Sequence, residues 1–308
     1  MLYNNLSRYL KETYGGPVQK ICIDGGFTCP NRDGTCGTGG CIFCGERGSG
    51  EHITNRSLSV QEQVRAYLAA HPKGDTLIAY FQNFTNTYAP VRELKEIYDS
   101  ALIDPRIRIL AIGTRPDCIS EETAELIASY RSRVDVWVEL GLQTANDETA
   151  KVINRGYPRE VFTQAAEILN RYQIPVVAHV MIGLPGETGK DVEETTRFLN
   201  RHHLWGIKIH SLYVMKDTVL EKMYLNGAFQ SISMDEYISS VVYMLTHLPP
   251  AMIIHRLTGD CPKGLLTAPD WNPKKNEILQ MIRDRMTEQG LRQGIFYETD
   301  QSLRKEGE

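Results

Sequence analysis

The sequence predicts an α/β protein whose parallel sheet curls into an incomplete barrel, on three observations. Short apolar runs alternate with amphipathic helical stretches along most of the 308 residues. The runs are nearly continuous in apolar residues rather than alternating, as strands covered on both faces are. The residues with chemistry to offer follow the runs, as in barrels whose sites are built from the loops after the strands.

The elements read in order. MLYNNLSRYLKETYGG is polar and amphipathic, and predicts an N-terminal helix within 1–17 rather than a signal peptide. Strands are predicted at VQKICID from Val18, TLIAYF from Thr76, IRILAIG from Ile107, VDVWVEL from Val134, IPVVAHVMIG from Ile174 and GIKIHSLYV from Gly206. A weaker seventh is MIIHRL from Met252. Between them SVQEQVRAYLAA, VRELKEIYDSAL, SEETAELIASYRS, PREVFTQAAEILNRY and KDVEETTRFLNRH carry apolar residues at helical spacing. Six or seven such units make a partial barrel over 18–260, with an open doubly wound sheet as the second arrangement. Beyond Pro262 the units stop; NPKKNEILQMIRDRMTEQG reads as a terminal helix in an extension over 261–308, whose last residues should fray.

Composition narrows the function. The net charge of −4 argues against a surface coated for nucleic acid, though not against a local basic patch. No apolar run approaches the roughly 20 residues of a membrane span, so a cytoplasmic chain with no membrane partner is expected. Four of the seven cysteines fall between Cys29 and Cys44. Clustered thiols in a reducing compartment bind metal or do catalysis more often than they pair.

The cysteine loop reads GGFTCPNRDGTCGTGGCIFCGERGSG. Cys29, Cys41 and Cys44 form C-x11-C-x2-C, with Cys36 between, and the glycines let the backbone fold tightly around a bulky group. Iron–sulfur clusters are held by cysteine thiolates, and three protein ligands leave one iron open. A structural zinc site on Cys29, Cys36, Cys41 and Cys44 is the other reading, although a zinc ribbon needs two close pairs. Phe43, inside C-x2-C, is placed to stack on a cofactor beside the metal.

Downstream stand FQNFTNTYAP, GTRPDC, ELGLQT, INRG and GLPGE, in this order and all but INRG at a strand end. Together with the cysteine loop they resemble the radical S-adenosylmethionine superfamily, and more closely its YhcC/YtqA-like bacterial subgroup. The resemblance runs from about Lys20 to Asp260. It implies a 4Fe–4S cluster on Cys29, Cys41 and Cys44, with Cys36 an additional loop thiol. It also implies that S-adenosylmethionine is cleaved to a radical by an electron from a flavodoxin or ferredoxin. Glu139, Gln143, Arg155 and Gln82 are then expected on the cofactor, Arg155 suiting its carboxylate because guanidinium binds carboxylate bidentately. Gly183, in GLPGET, is expected against the adenine; the plainer reading of that turn is a helix start at Thr188.

Arg115, Asp117 and Cys118 end the third strand. Arg115 is a candidate grip for an anion. Cys118 is a candidate hydrogen-atom donor, or a small buried thiol. His179 and His210 fall on strands where alternation can turn them inward, and Lys208 shares the parity of His210. A lysine there needs an anion, because an unpaired buried charge is costly. HRLTGD, from His255, is a candidate cover for the open side. The stretches GERGSGE and RLTGD look closest to the YtqA-like branch, implicated in trimming the carboxymethylaminomethyl group of the tRNA wobble uridine ahead of a partner methyltransferase. A radical enzyme on a small metabolite or peptide, and a zinc-stapled binding module, are the competing functions.

Overall fold

The computed structural model describes residues 1–48 and 57–297. The chain opens with α1 (Leu6–Tyr14), started by the Asn5 side chain, which accepts from the Arg8 N–H at 2.9 Å, and stopped by Gly15 at φ 75°. Then β1 (Val18–Ile23), α2 (Val60–Ala70), β2 (Thr76–Phe81), α3 (Val91–Ala101), β3 (Ile107–Thr114), α4 (Glu121–Ser129) and β4 (Asp135–Gln143) alternate. After α5 (Asp147–Val152) come α6 (Arg159–Arg171), β5 (Val176–Ile182), α7 (Gly189–Leu199) and β6 (Gly206–Ser211). The last third holds β7 (Val214–Met215), α8 (Val219–Leu225), α9 (Met234–His247), β8 (Ile253–Arg256), β9 (Leu266–Ala268) and α10 (Lys275–Glu288). Reciprocal capping boxes fix the starts of α2 at Ser59, α4 at Ser120, α7 at Thr188 and α9 at Ser233.

Strands β1 to β6 and then β8 lie side by side, each parallel to the next, in a seven-stranded sheet. The sheet curls into a half-barrel, so β1 and β8 are its two edges. The weak seventh run is therefore a true strand. The long run from Gly206 divides instead: β6 ends at Ser211, and Val214–Met215 pair antiparallel with β9 in a separate two-stranded sheet.

Strand alternation sorts the side chains. Ile21, Ile23, Leu77, Ala79, Phe81, Leu110, Ile112, Val138 and Leu140 face outward into one core with the helices, which α9 and α10 extend through Tyr237, Val241, Leu245, Ile278 and Ile282. The opposite parity faces the barrel interior. At its N-terminal end Ile78, Ile109, Trp137, Val177 and Ile253 pack against Leu6 and Leu10 of α1. Burying those two leucines contributes about 2 kcal/mol each. Trp205 adds an edge contact to Tyr9 at 5.5 Å and a tilted one to Trp137 at 5.3 Å. The N-terminal helix thus plugs the bottom of the barrel and leaves its polar upper interior facing the strand ends. No helix among the described residues is long and apolar enough to cross a membrane.

Candidate active site

The cysteine loop leaves β1 and docks onto the segment after α5. Asn31 is the hinge of this docking. It is fully buried, and its amide donates to the Asn154 carbonyl at 2.6 Å and points an N–H toward Cys41 Sγ at 4.0 Å. Asn154 returns the contact, donating to the carbonyls of Thr38 and Gly40 at 3.2 and 2.8 Å. The Ile42 N–H reaches the Ile153 carbonyl at 3.1 Å. Gly156, at φ 85°, lies so close that a Cβ there would sit 3.0 Å from Asn31 Oδ1. This role of INRG is not legible from its residues, because nothing local to them predicts a partner in the cysteine loop.

Within the loop the Arg32 and Asp33 N–H groups fold back on the Cys29 carbonyl at 2.8 and 3.2 Å, and the Cys44 N–H on that of Cys41 at 3.0 Å. The Arg32 guanidinium closes the far end, donating to the carbonyls of Cys44, Gly45 and Glu46. Cys29, Cys41 and Cys44 are partly buried, whereas Cys36 is exposed. Cys41 and Cys44 share a hydrogen bond. It pushes the Cys41 thiol up and, aided by Arg32 and Arg115 against burial, draws Cys44 down to about 7. Three soft thiols beside two guanidiniums are a donor set that favours thiolate ligation. Among the described residues no three His, Cys, Asp or Glu side chains converge on one ion-sized point.

Phe43 packs with Ile42, Ile153, Leu184 and Leu212, so the C-x2-C aromatic and the turn after β5 share one apolar cluster. Gly183 in that turn has φ 92°, and a Cβ there would lie 2.8 Å from Ile232 Cγ2. Thr188 does start α7. Gln143 ends β4 at φ 61°, just past a bulge, and its Oε1 lies 3.4 Å from the Tyr157 hydroxyl. Gln82 follows β2 at the same end of the barrel and is half-buried.

Two expected cofactor contacts are occupied by the chain itself. Arg155 is fully buried, and its guanidinium donates to the carbonyls of Tyr157 at 2.9 Å and Thr144 at 2.6 Å, to that of Leu142 at 2.5 Å, and to Asp147 Oδ1 at 3.0 Å. The guanidinium ties the bulged end of β4 to the INRG turn. Glu139 is 1% exposed and accepts from the Tyr80 hydroxyl at 2.7 Å, His179 Nε2 at 2.8 Å, Trp137 Nε1 at 3.1 Å and the Lys208 ammonium. Three of these donors converge on Oε2 and only Trp137 reaches Oε1, so the carboxylate gathers the interior polar groups around itself. Burial pushes Glu139 up, but Lys208 and His179 outweigh it and hold the carboxyl well below its usual range.

Arg115 grips Asp117 bidentately at 2.9 and 2.6 Å, donates to the Arg155 carbonyl at 3.0 Å and lies over the Tyr157 ring. Cys118 sits beside Asp117, and burial raises its thiol well above the usual range, so it is protonated at neutral pH. It lies within electrostatic reach of Cys29 and Cys36, on the cysteine-loop side of the barrel. His179 and His210 do turn inward, with ring centroids 5.5 Å apart. Lys208 meets its anion in Glu139. In HRLTGD, the Gly259 N–H caps Ser211 Oγ at 2.8 Å, tying the segment to the end of β6. Ser49, Gly50 and Glu51 of GERGSGE, and the tail from residue 298, lie outside the described residues.

Comparison with known proteins decides the family. Residues 32–199 match the Radical SAM superfamily model, and residues 204–288 match the Radical_SAM C-terminal domain. The chain is 38% identical over 299 residues to the uncharacterized protein YtqA of Bacillus subtilis, covering 96% of this chain and 93% of that one. It is 35% identical over 272 residues to protein YhcC of Escherichia coli, covering 88% and 87%.

The chain belongs to the radical S-adenosylmethionine superfamily.

Within that superfamily it falls in the YhcC/YtqA-like group. It is a radical S-adenosylmethionine enzyme, using a 4Fe–4S cluster and S-adenosylmethionine, which sets the zinc-stapled module aside. A more distant relative is the tRNA uridine(34) acetyltransferase of Methanocaldococcus infernus, 26% identical over 65% of this chain and 38% of that protein. Among solved structures, the M. infernus Elp3 with an N-terminal deletion superposes with a TM-score of 0.67 at 18% identity, over 91% of this chain and 67% of that one. This likeness shows the half-barrel fold. Radical enzymes of this superfamily need an electron donor.

Proposed function

We propose that Cys29, Cys41 and Cys44 hold the cluster and that the substrate is the modified wobble uridine of tRNA, whose carboxymethylaminomethyl group is trimmed to aminomethyl. The observation that carries the reading is a shared mouth. The thiol loop, the Gly183 turn and the polar barrel interior all open at the C-terminal ends of the strands. When bound, the cluster and S-adenosylmethionine supply, on one electron, a 5′-deoxyadenosyl radical that abstracts hydrogen from substrate.

The residues around that mouth divide the remaining work. Asn31 and Arg32 set the spacing of the thiols through the loop backbone. Phe43 and the turn at Gly183 and Leu184 form an apolar wall against which an adenine can lie. Gln82 and Gln143 offer amides at the rim for cofactor polar groups. Trimming removes the two-carbon unit by oxidation at its N–CH2 carbon and hydrolysis, so no hydrogen atom need return to the substrate, and Cys118 borders the mouth as a protonated thiol. The α1 plug closes the far end and keeps the interior from bulk water.

The tRNA substrate is supported by the branch that the motifs resemble and by the likeness to a tRNA uridine(34) acetyltransferase. The enzyme works in the cytoplasm with a flavodoxin or ferredoxin as donor and hands its product to a tRNA methyltransferase. Nucleoside analysis of tRNA from a deletion strain tests the reading. Accumulation of carboxymethylaminomethyluridine with loss of aminomethyl-derived nucleosides is expected. An unchanged nucleoside profile overturns it and moves the substrate to a small metabolite or peptide.

A further inference from the structure

The mechanism above leaves a group of cations inside the barrel unused. Lys20 and Cys22 have the inward parity of β1, opposite to Ile21 and Ile23, and both are exposed to the interior space. The Lys20 ammonium rests over the Tyr80 ring, 5.4 Å from its centroid, and among the described residues no ion pair reaches it. Arg256 stands on β8, at the other edge of the sheet. The β6–β8 register shift sets Arg256 opposite Lys208, so it joins the inward row. Its nearest carboxylate is Asp260 at the rim, at 4.0 Å.

The two edge strands of the curled sheet thus bring Lys20 and Arg256 toward each other across the open seam. Burial, and among the charges Arg256, push the Lys20 ammonium down, while Glu139 pulls it up. The buried carboxylate on the inward face, Glu139, is already engaged with Lys208, Tyr80, Trp137 and His179. Beside them, His210 Nε2 is buried and has no hydrogen-bond partner. Two like charges and an unsatisfied imidazole nitrogen facing one interior space are unfavourable unless something negative enters.

We propose that Lys20, Arg256 and His210 form an oxyanion subsite in the barrel interior that receives a carboxylate or phosphate carried by the substrate. The subsite rests on the reading that the substrate meets the radical inside the barrel; it does not require that substrate to be tRNA. The Arg256 fork and the Lys20 point charge supply charge-assisted hydrogen bonds, and the neutral His210 adds one N–H. Recognition of an anion deep in the interior holds the neighbouring C–H bonds toward the mouth, where the radical arises.

Ligand-observed NMR on the reconstituted full-length enzyme with S-adenosylmethionine tests this, using N-acetylglycine, methyl phosphate and the neutral N-acetylglycinamide. At least one anion should bind while the amide does not, and which one binds tells carboxylate from phosphate. K20Q and R256Q should each weaken that binding about tenfold, the loss of one charge-assisted bond, and K20R should restore most of it. Cluster absorbance and S-adenosylmethionine affinity are recorded for each variant, so that a misfolded protein is recognised as such. Equal binding of anion and amide, or wild-type anion binding in both variants, overturns the subsite. Anion binding together with an unchanged tRNA nucleoside profile removes only the tRNA reading. A tRNA phenotype without anion binding removes only the subsite.

Discussion

Glu139 on β4 and Lys208 on β6 meet across β5, with the Lys208 ammonium 2.9 Å from the Tyr80 hydroxyl and 4.6 Å from its ring centroid. Both are buried, and burial pushes Lys208 down to about 7 even against the pull of Glu139. The pair links β2, β4, β5 and β6 through Tyr80, Glu139, His179 and Lys208, and forms the polar floor of the interior above the tryptophan layer.

Breaking the pair from one side leaves an uncompensated buried charge. K208M should destabilise the apo-protein by about 3–5 kcal/mol. The double variant E139Q/K208M should recover much of that loss, since no lone charge remains. Urea midpoints of the two variants and wild type check this. An additive double variant would show that the pair is not coupled.

Arg155 is predicted to act on stability before it acts on the cofactor. Its guanidinium satisfies three carbonyls and a carboxylate, so R155M should cost about 3–5 kcal/mol, and R155K should not restore the planar fork. Thermal melts of apo-protein read this directly. An unchanged melt with a raised KM for S-adenosylmethionine would return Arg155 to the cofactor carboxylate.

Glu187, in the turn after β5, is pushed up by burial to about 7, against the Thr144 and Thr149 hydroxyls. Its native-state value lies above its unfolded one. The stability it contributes is therefore full below about pH 4.5 and lost as pH rises through 7. E187Q should gain about 1–3 kcal/mol over wild type at pH 8 and little at pH 4.5. Melting temperatures of both proteins across that range measure the difference, and parallel curves would contradict the shift.

The docking of the cysteine loop gives a separate test. G156A combines a positive φ with a methyl group 3.0 Å from Asn31 Oδ1, a strain of about 1–3 kcal/mol. It should lower iron incorporation although every thiol is intact. Wild-type iron content in G156A would show that the loop holds its ligands without the INRG segment.

Much of the fold was legible because parallel strands between helices are long apolar runs, and the capping residues Ser59, Ser120 and Thr188 mark helix starts locally. Four elements that escaped notice, α5, α8, β7 and β9, span between two and seven residues, too few for a period to show, whereas α9, with 14 residues, was passed over despite its length. In the site, the parity of Lys208 and His210 was readable along one strand. The partner that settles Lys208 was not, because Glu139 and Tyr80 reach it only through the curl of the sheet. The protein partners of Arg155 were not legible for the same reason. Its acceptors are backbone carbonyls at a bulge, which no side-chain pattern announces.

The central claim is a cluster held by three thiolates with one iron open. Anaerobic reconstitution followed by iron and sulfide assay of wild type, C29A, C41A, C44A and C36A tests it most directly. The account predicts about four iron and four sulfide per wild-type chain, loss of cluster absorbance in C29A, C41A and C44A, and a wild-type cluster in C36A. A C36A protein that loses its iron as completely as C41A would mean four protein thiolates and a closed site, and would contradict it.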